Sequence, residues 1–177
     1  MKKKRGIIIS GALAQDHEFI YPYYRLLENN VKIDVCILEN TFVKGILGTT
    51  LPPNKDQKLI NIKKAKIENY DILVLPGGVK AMEKVRQNKD IINFISLFNK
   101  KKKIIACICS GAQLLISAKV VKNRDISGYY SMRDDLINAG ANYVDKPAVI
   151  DKNIITTAHY KDMGAWMAAS IKLLNKN

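Results

Sequence analysis

The chain has 177 residues and a formal charge of +13, with 29 Lys and Arg against 16 Asp and Glu. Its 47% hydrophobic and 25% charged residues exclude a disordered or fibrous chain and suit a globular one. No apolar run approaches the length of a membrane span. The basic start, Met1-Lys2-Lys3-Lys4-Arg5, leads into an apolar run too short for a secretion signal.

These features predict one cytoplasmic domain over residues 1–177. The basic clusters Lys2–Lys4, Lys63-Lys64-Lys66 and Lys100–Lys103 are separate and carry no interleaved aromatics. They read as a solvated surface, so neither a specific nucleic acid nor a membrane is expected as partner. Cys36, Cys107 and Cys109 are odd in number. The single residue between Cys107 and Cys109 fits neither a CxxC redox pair nor a zinc site, and a reducing compartment suits them. No residue set has metal-ligand spacing, and no metal or other cofactor is expected.

In chain order, Arg5–Ser10 reads as a strand and Glu18–Asn29 as an amphipathic helix with Asp16 as N-cap. Val31–Leu38 is a strand, and the loop Thr41–Pro53 has room for a short hairpin. Asp71–Leu75 is a strand ending at Pro76-Gly77-Gly78, and Met82–Lys100 a helix. Lys103–Ile108 is a strand and Ser110–Ala118 a helix. A short helix over Asp134–Ala139 is closed by Gly140. Ala148–Ile150 and Ile154–Thr157 form a hairpin, and Asp162–Asn175 is the last helix. This alternation predicts an α/β fold, with a mainly parallel sheet and helices on both faces.

In such sheets the site lies beyond the carboxyl ends of the strands. Cys109 sits there, between a buried strand and a helix, where a sharp turn exposes a nucleophile. A thiol at a helix N-terminus is expected to ionise more easily than a free one. Cys107, inside the strand, reads as core. Glu18, early in its helix, is placed to meet the Cys109 sulfur and to act as general acid/base, with its pKa raised by burial. The backbone amides of Gly78 and Ser110 are candidates for an oxyanion hole. His159, at the end of a strand, is a candidate base, whereas His17 reads as exposed.

Three segments together resemble the DJ-1/PfpI superfamily, in its PfpI-type branch. They are Asp16-His-Glu-Phe-Ile-Tyr-Pro-Tyr-Tyr-Arg-Leu26, Asp71-Ile-Leu-Val-Leu-Pro-Gly-Gly78 and Ala106-Cys-Ile-Cys-Ser-Gly-Ala-Gln-Leu-Leu-Ile-Ser-Ala118. Tyr129–Gly140 and Ala165-Trp-Met167 extend the likeness towards the carboxyl end. The resemblance implies a flavodoxin-like three-layer sandwich with a strand-turn-helix nucleophile elbow. It implies a homodimer or larger homo-oligomer, a low-pKa Cys109 and a protonated Glu18. It also implies a pocket that includes Gly77 and Tyr129, to which the residue reading adds His159.

Family activities span glyoxalase III and protein deglycase chemistry, peptide hydrolysis and oxidative-stress sensing. Two departures weigh against the peptidase. Ser110 stands where the PfpI type has His, and Gln15 stands where it has Glu. Addition of Cys109 to a small aldehyde or a glycated protein, with Glu18 moving the proton, needs only residues that are present. The alternatives are an oxidative-stress sensor or chaperone acting through Cys109 oxidation and a PfpI-type hydrolase or peptidase, for which His159 would have to serve as base.

Overall fold

The computed structural model describes residues 3–176; Met1 and Lys2 of the basic amino-terminal cluster lie outside the described residues. The elements run β1 (Arg5–Ser10), α1 (Asp16–Glu28), β2 (Lys32–Ile37), β3 (Val43–Lys44), β4 (Thr50–Leu51), β5 (Ile72–Leu75), α2 (Val79–Val85) and α3 (Lys89–Lys100). They continue with β6 (Ile104–Ile108), α4 (Ala112–Ser117), β7 (Asp125–Ile126), α5 (Arg133–Asn138), β8 (Asn142–Tyr143), β9 (Val149–Asp151), β10 (Ile154–Thr157) and α6 (Met163–Leu174).

The main sheet has the order β2-β1-β5-β6-β10-β9. All its pairings are parallel except β9 with β10. Its central strands β5 and β6 are apolar throughout because both faces are covered, and Ile7, Ile8 and Ile9 in β1 are likewise fully buried. Helices α1 and α6 pack together over one face, and α2, α3 and α4 over the other. The result is a flavodoxin-like α/β sandwich.

Chain order reverses at β1, which pairs with β2 on one side and β5 on the other. The crevice beyond the carboxyl ends of β1 and β5 is therefore the switch point where such sheets bind ligands. The helix faces follow from sequence period. In α3, Ile91, Phe94, Ile95 and Phe98 are buried and one turn apart, and each contributes roughly 1.5–3 kcal/mol by leaving water. In α6, Trp166 is fully buried and its Nε1–H donates to the Ile155 carbonyl at 3.2 Å, which ties the helix to β10.

Several expectations are corrected. The single helix over Met82–Lys100 is two, α2 and α3. The chain breaks at Arg86–Asn88 because the Asn88 side chain accepts from the Ile91 N–H at 3.1 Å and starts a new helix. Gln15, with no side-chain cap bond, occupies the N-cap position of α1 in place of Asp16. The Asp16 carboxyl instead accepts the N–H groups of Leu47 and Thr49, at 2.7 and 2.9 Å. The helix after Cys109 begins one residue early and its first turn is 3-10, followed by the six residues of α4. The hairpin inside Thr41–Pro53 is present as β3 and β4, and Gly140 closes α5 with φ +87°. The short parallel pair β7 and β8 adds to the elements expected from the sequence.

Candidate active site

Strand β6 delivers Cys109 to the sheet edge. Its five residues are buried, and the chain then turns sharply. Cys109 has φ +58°, a left-handed conformation that costs a non-glycine residue about 1–3 kcal/mol. This turn is the strand-turn-helix elbow expected from the sequence. The Cys109 side chain is half-buried, whereas Cys107, two residues back, is fully enclosed in the core.

Helix α1 supplies Glu18 in its first turn, with only 1% of the residue exposed. The turn after β5 brings a backbone donor to it: the Gly77 N–H donates to Glu18 Oε2 at 2.9 Å. Gly77 is needed for space. A Cβ there would overlap the Glu18 carboxyl and stand 2.8 Å from the Cys109 Cβ and 3.1 Å from its sulfur. Gly78 is needed for conformation, with φ +101°. Three separate strand ends thus place a thiol, a carboxyl and a glycine turn together.

The carboxyl and the thiol are neighbours at the glycine turn, where a Cβ on Gly77 would meet both of them. Burial pushes the Glu18 carboxyl up to about 7, against the pull of hydrogen bonds from Cys109 and Gly77. Burial also pushes the Cys109 thiol upward, and charge on Glu18 adds to it. The Ser110 amide opposes this rise but does not overcome it. The expectation of an easily ionised thiol is thereby corrected: a short helix cannot offset burial beside a carboxylate. The two groups ionise at each other's expense, so loss of the first proton opposes loss of the second.

Both groups open into a cavity of about 350 Å³. Gly78, Ser110, Tyr129 and His159 reach its wall. Gly77 does not line it, contrary to expectation, because its amide lies behind the wall against Glu18. The Tyr129 N–H donates to the Cys109 carbonyl at 3.2 Å, which fixes the tyrosine's backbone beside Cys109. The Ser110 hydroxyl is buried with no nitrogen or oxygen partner. His159 Nδ1 accepts from the Lys161 N–H at 3.2 Å. His17 is exposed and stacks on Tyr160 with ring centroids 5.6 Å apart.

Comparison with known proteins places this arrangement. A family model described as the DJ-1/PfpI family matches residues 4–173. The chain belongs to the DJ-1/PfpI family. It is 34% identical over 168 residues to a protein of Pyrococcus furiosus named Deglycase PfpI, covering 95% of this chain and 98% of the relative. It is 33% identical over 174 residues to the putative cysteine protease YraA of Bacillus subtilis, covering 98% and 99%. Among solved structures, a two-domain protein from Anabaena variabilis, with DJ-1/ThiJ/PfpI-like and ferritin-like domains, superposes with a TM-score of 0.91 at 28% identity. The match covers 98% of this chain and 48% of that one.

Within this DJ-1/PfpI chain, several wall residues carry no signal of their own in the sequence. Gln113 lies one turn beyond Ser110, and Val79 directly follows the glycine turn, so their neighbours could have pointed to them. Ile46 comes from the distant β3–β4 loop and had no local cue. No three His, Cys, Asp or Glu side chains group as metal ligands among the described residues. No described helix is long and apolar enough to cross a membrane.

Proposed function

We propose that this DJ-1/PfpI protein is a glutathione-independent glyoxalase, with deglycase activity on aldehyde adducts of proteins as an extension of the same chemistry. The observation that carries this reading is the buried Glu18 carboxyl beside the Cys109 thiol, held by the Gly77 amide at the floor of a cavity. The name of the Pyrococcus relative supports it.

The thiol passes its proton to the Glu18 carboxylate, and the sulfur bonds to the aldehyde carbon of an α-oxoaldehyde. The aldehyde oxygen takes up the charge within reach of the Gly78 and Ser110 amides and is protonated by Glu18, giving a hemithioacetal. Glu18 then removes the proton on that carbon and delivers it to the neighbouring carbon, while the hydroxyl proton of the hemithioacetal passes to the ketone oxygen. The first carbon is oxidised to a thioester as the ketone carbon is reduced to an alcohol. Water cleaves the thioester, releasing a 2-hydroxy acid and restoring the thiol. No external oxidant is consumed, and the only co-reactant is one water.

The test is methylglyoxal consumption by the purified protein without glutathione. Cys109→Ala should lower it at least roughly a thousandfold. Robust turnover in that variant would sink the reading.

A second reading, a cysteine hydrolase with His159 as base, is favoured by the position of His159 on the cavity wall and by the name of the Bacillus relative. It requires amide hydrolysis that is lost in His159→Ala. Hydrolysis unchanged in that variant would remove it.

A further inference from the structure

The cavity differs from the rest of the molecule in one respect that bears on its ligand. The chain carries 29 Lys and Arg, yet none of those among the described residues lines this space. Its ionisable carboxyl, Glu18, would repel an anion. A substrate bearing a phosphate or carboxylate would therefore have to give up its hydration with no cation to replace it.

The mouth of the cavity is apolar instead. Ile46 is 48% exposed and Val79 51%. Tyr129 and Tyr160 are 39% and 44% exposed. His159 lies between the two tyrosines, 4.0 Å from the Tyr160 ring centroid and 6.2 Å from that of Tyr129. These rings make a continuous aromatic wall, anchored beside the nucleophile through the Tyr129 amide. Methylglyoxal, whose substituent is one methyl group, would reach Cys109 and leave most of about 350 Å³ unfilled. That volume corresponds to roughly a dozen water molecules.

We infer that the preferred substrate is an uncharged α-oxoaldehyde bearing an aryl or similarly flat apolar group, which packs on Tyr129, His159 and Tyr160 and against Ile46 and Val79 while its aldehyde meets Cys109. This inference rests on the glyoxalase reading and extends it to a substrate class. Binding energy gained on a remote part of the substrate positions the reacting carbonyl. A flat ring contributes through stacking as well as through burial.

The experiment compares phenylglyoxal, methylglyoxal and glyoxylate as probes, with the purified full chain and its variants. In the native protein kcat/KM should fall in that order, with at least a tenfold step from the first to the second. The ratio of the first two cancels changes in the thiol itself. Tyr160→Ala should lower that ratio three- to tenfold, and Tyr160→Phe should keep it, because the ring rather than the hydroxyl is used. Should Tyr160→Ala not fold, Ile46→Ala and Val79→Ala provide the same readout from the aliphatic residues. Turnover of both ketoaldehydes with an unchanged ratio in all the alanine variants overturns this inference and leaves the glyoxalase reading standing. Glyoxylate as the best probe also overturns it. A shifted oligomeric state in Tyr160→Ala with an unchanged ratio assigns the rim to a second copy of the chain, again overturning it. Failure of the native protein to consume any of the three probes overturns both.

Discussion

The floor and the mouth of the cavity are built on opposite principles. The floor is set by the ends of three parallel strands of one sheet, and its polar side chains are almost closed to water: Glu18 is 1% and Ser110 4% exposed. There, burial changes the chemistry, raising the carboxyl to about 7 and the thiol upward. The mouth is set by loops and helix starts, and its side chains remain open to solvent. Under the proposed function, this contrast assigns reactivity to the floor and selectivity to the mouth. Changes on the floor should alter how fast any aldehyde reacts. Changes at the mouth should alter which aldehyde reacts.

The largest effect that would break this division comes from Glu18→Gln. The amide keeps an acceptor for the Gly77 N–H but cannot take the thiol proton. Activity should fall about 10²–10⁴-fold for every aldehyde alike, as expected for loss of a general acid/base. The reactive thiolate with a protonated carboxyl holds one proton fewer than the fully protonated pair. Native kcat/KM should therefore rise with pH as that first proton leaves, through about 7. In Glu18→Gln this inflection should vanish. A rate that is flat between pH 6 and 8 in the native protein would show that the carboxyl does not control the thiol.

The same substitution has a smaller effect on stability, with a defined sign. The folded-state pKa of Glu18 is raised from 4.5 to about 7, so the folded protein binds this proton more tightly than the unfolded chain. The associated stability is fully present below about pH 4.5 and is lost as pH rises through about 7. The cost at pH 8 is up to about 3 kcal/mol. Glu18→Gln avoids it, so its Tm should exceed that of the native protein at pH 8, with the advantage shrinking towards pH 5. An equal advantage at both pH values would show that packing, not charge burial, is responsible.

What the sequence revealed follows the same division. Cys109, Glu18 and the glycine turn were legible because each closes a short local pattern: an apolar strand, a polar residue and a turn into a helix. The strand alternation likewise specified the sheet. The break between α2 and α3 was missed because the apolar period runs through it, although Asn88 supplied a local cap signal. The state of the thiol was misread because ionisation depends on burial and on a carboxylate from another element, and neither is visible at Cys109 itself. The mouth was the least legible part. Ile46 reaches it only because a distant loop folds back, and the residue that fastens this loop, Asp16, read as an ordinary helix cap.

Asp16 therefore offers the finest test of the comparison. Its carboxyl is 2% exposed and receives the Leu47 and Thr49 N–H groups. Burial works to raise its pKa, but the hydrogen bonds led by Leu47 outweigh this and hold it below the usual carboxylate value. A Cβ at Gly45 would overlap this carboxyl, so the loop can approach only because glycine is there. The Ile46 N–H is fixed in turn by the Ala14 carbonyl at 2.9 Å, which sets the side chain at the cavity wall. In Asp16→Asn one oxygen becomes an amide donor facing a backbone donor, and the loop should loosen. The KM for phenylglyoxal should rise about tenfold, as expected when a fitted apolar contact is lost. The kcat for methylglyoxal, which does not need that contact, should change by less than about threefold. Steady-state kinetics on both aldehydes, beside a melting curve, decide the matter. A lowered Tm with both KM values unchanged would make Asp16 a purely structural clasp. A common fall in kcat for the two substrates would mean that the mouth and the floor are not separable at all.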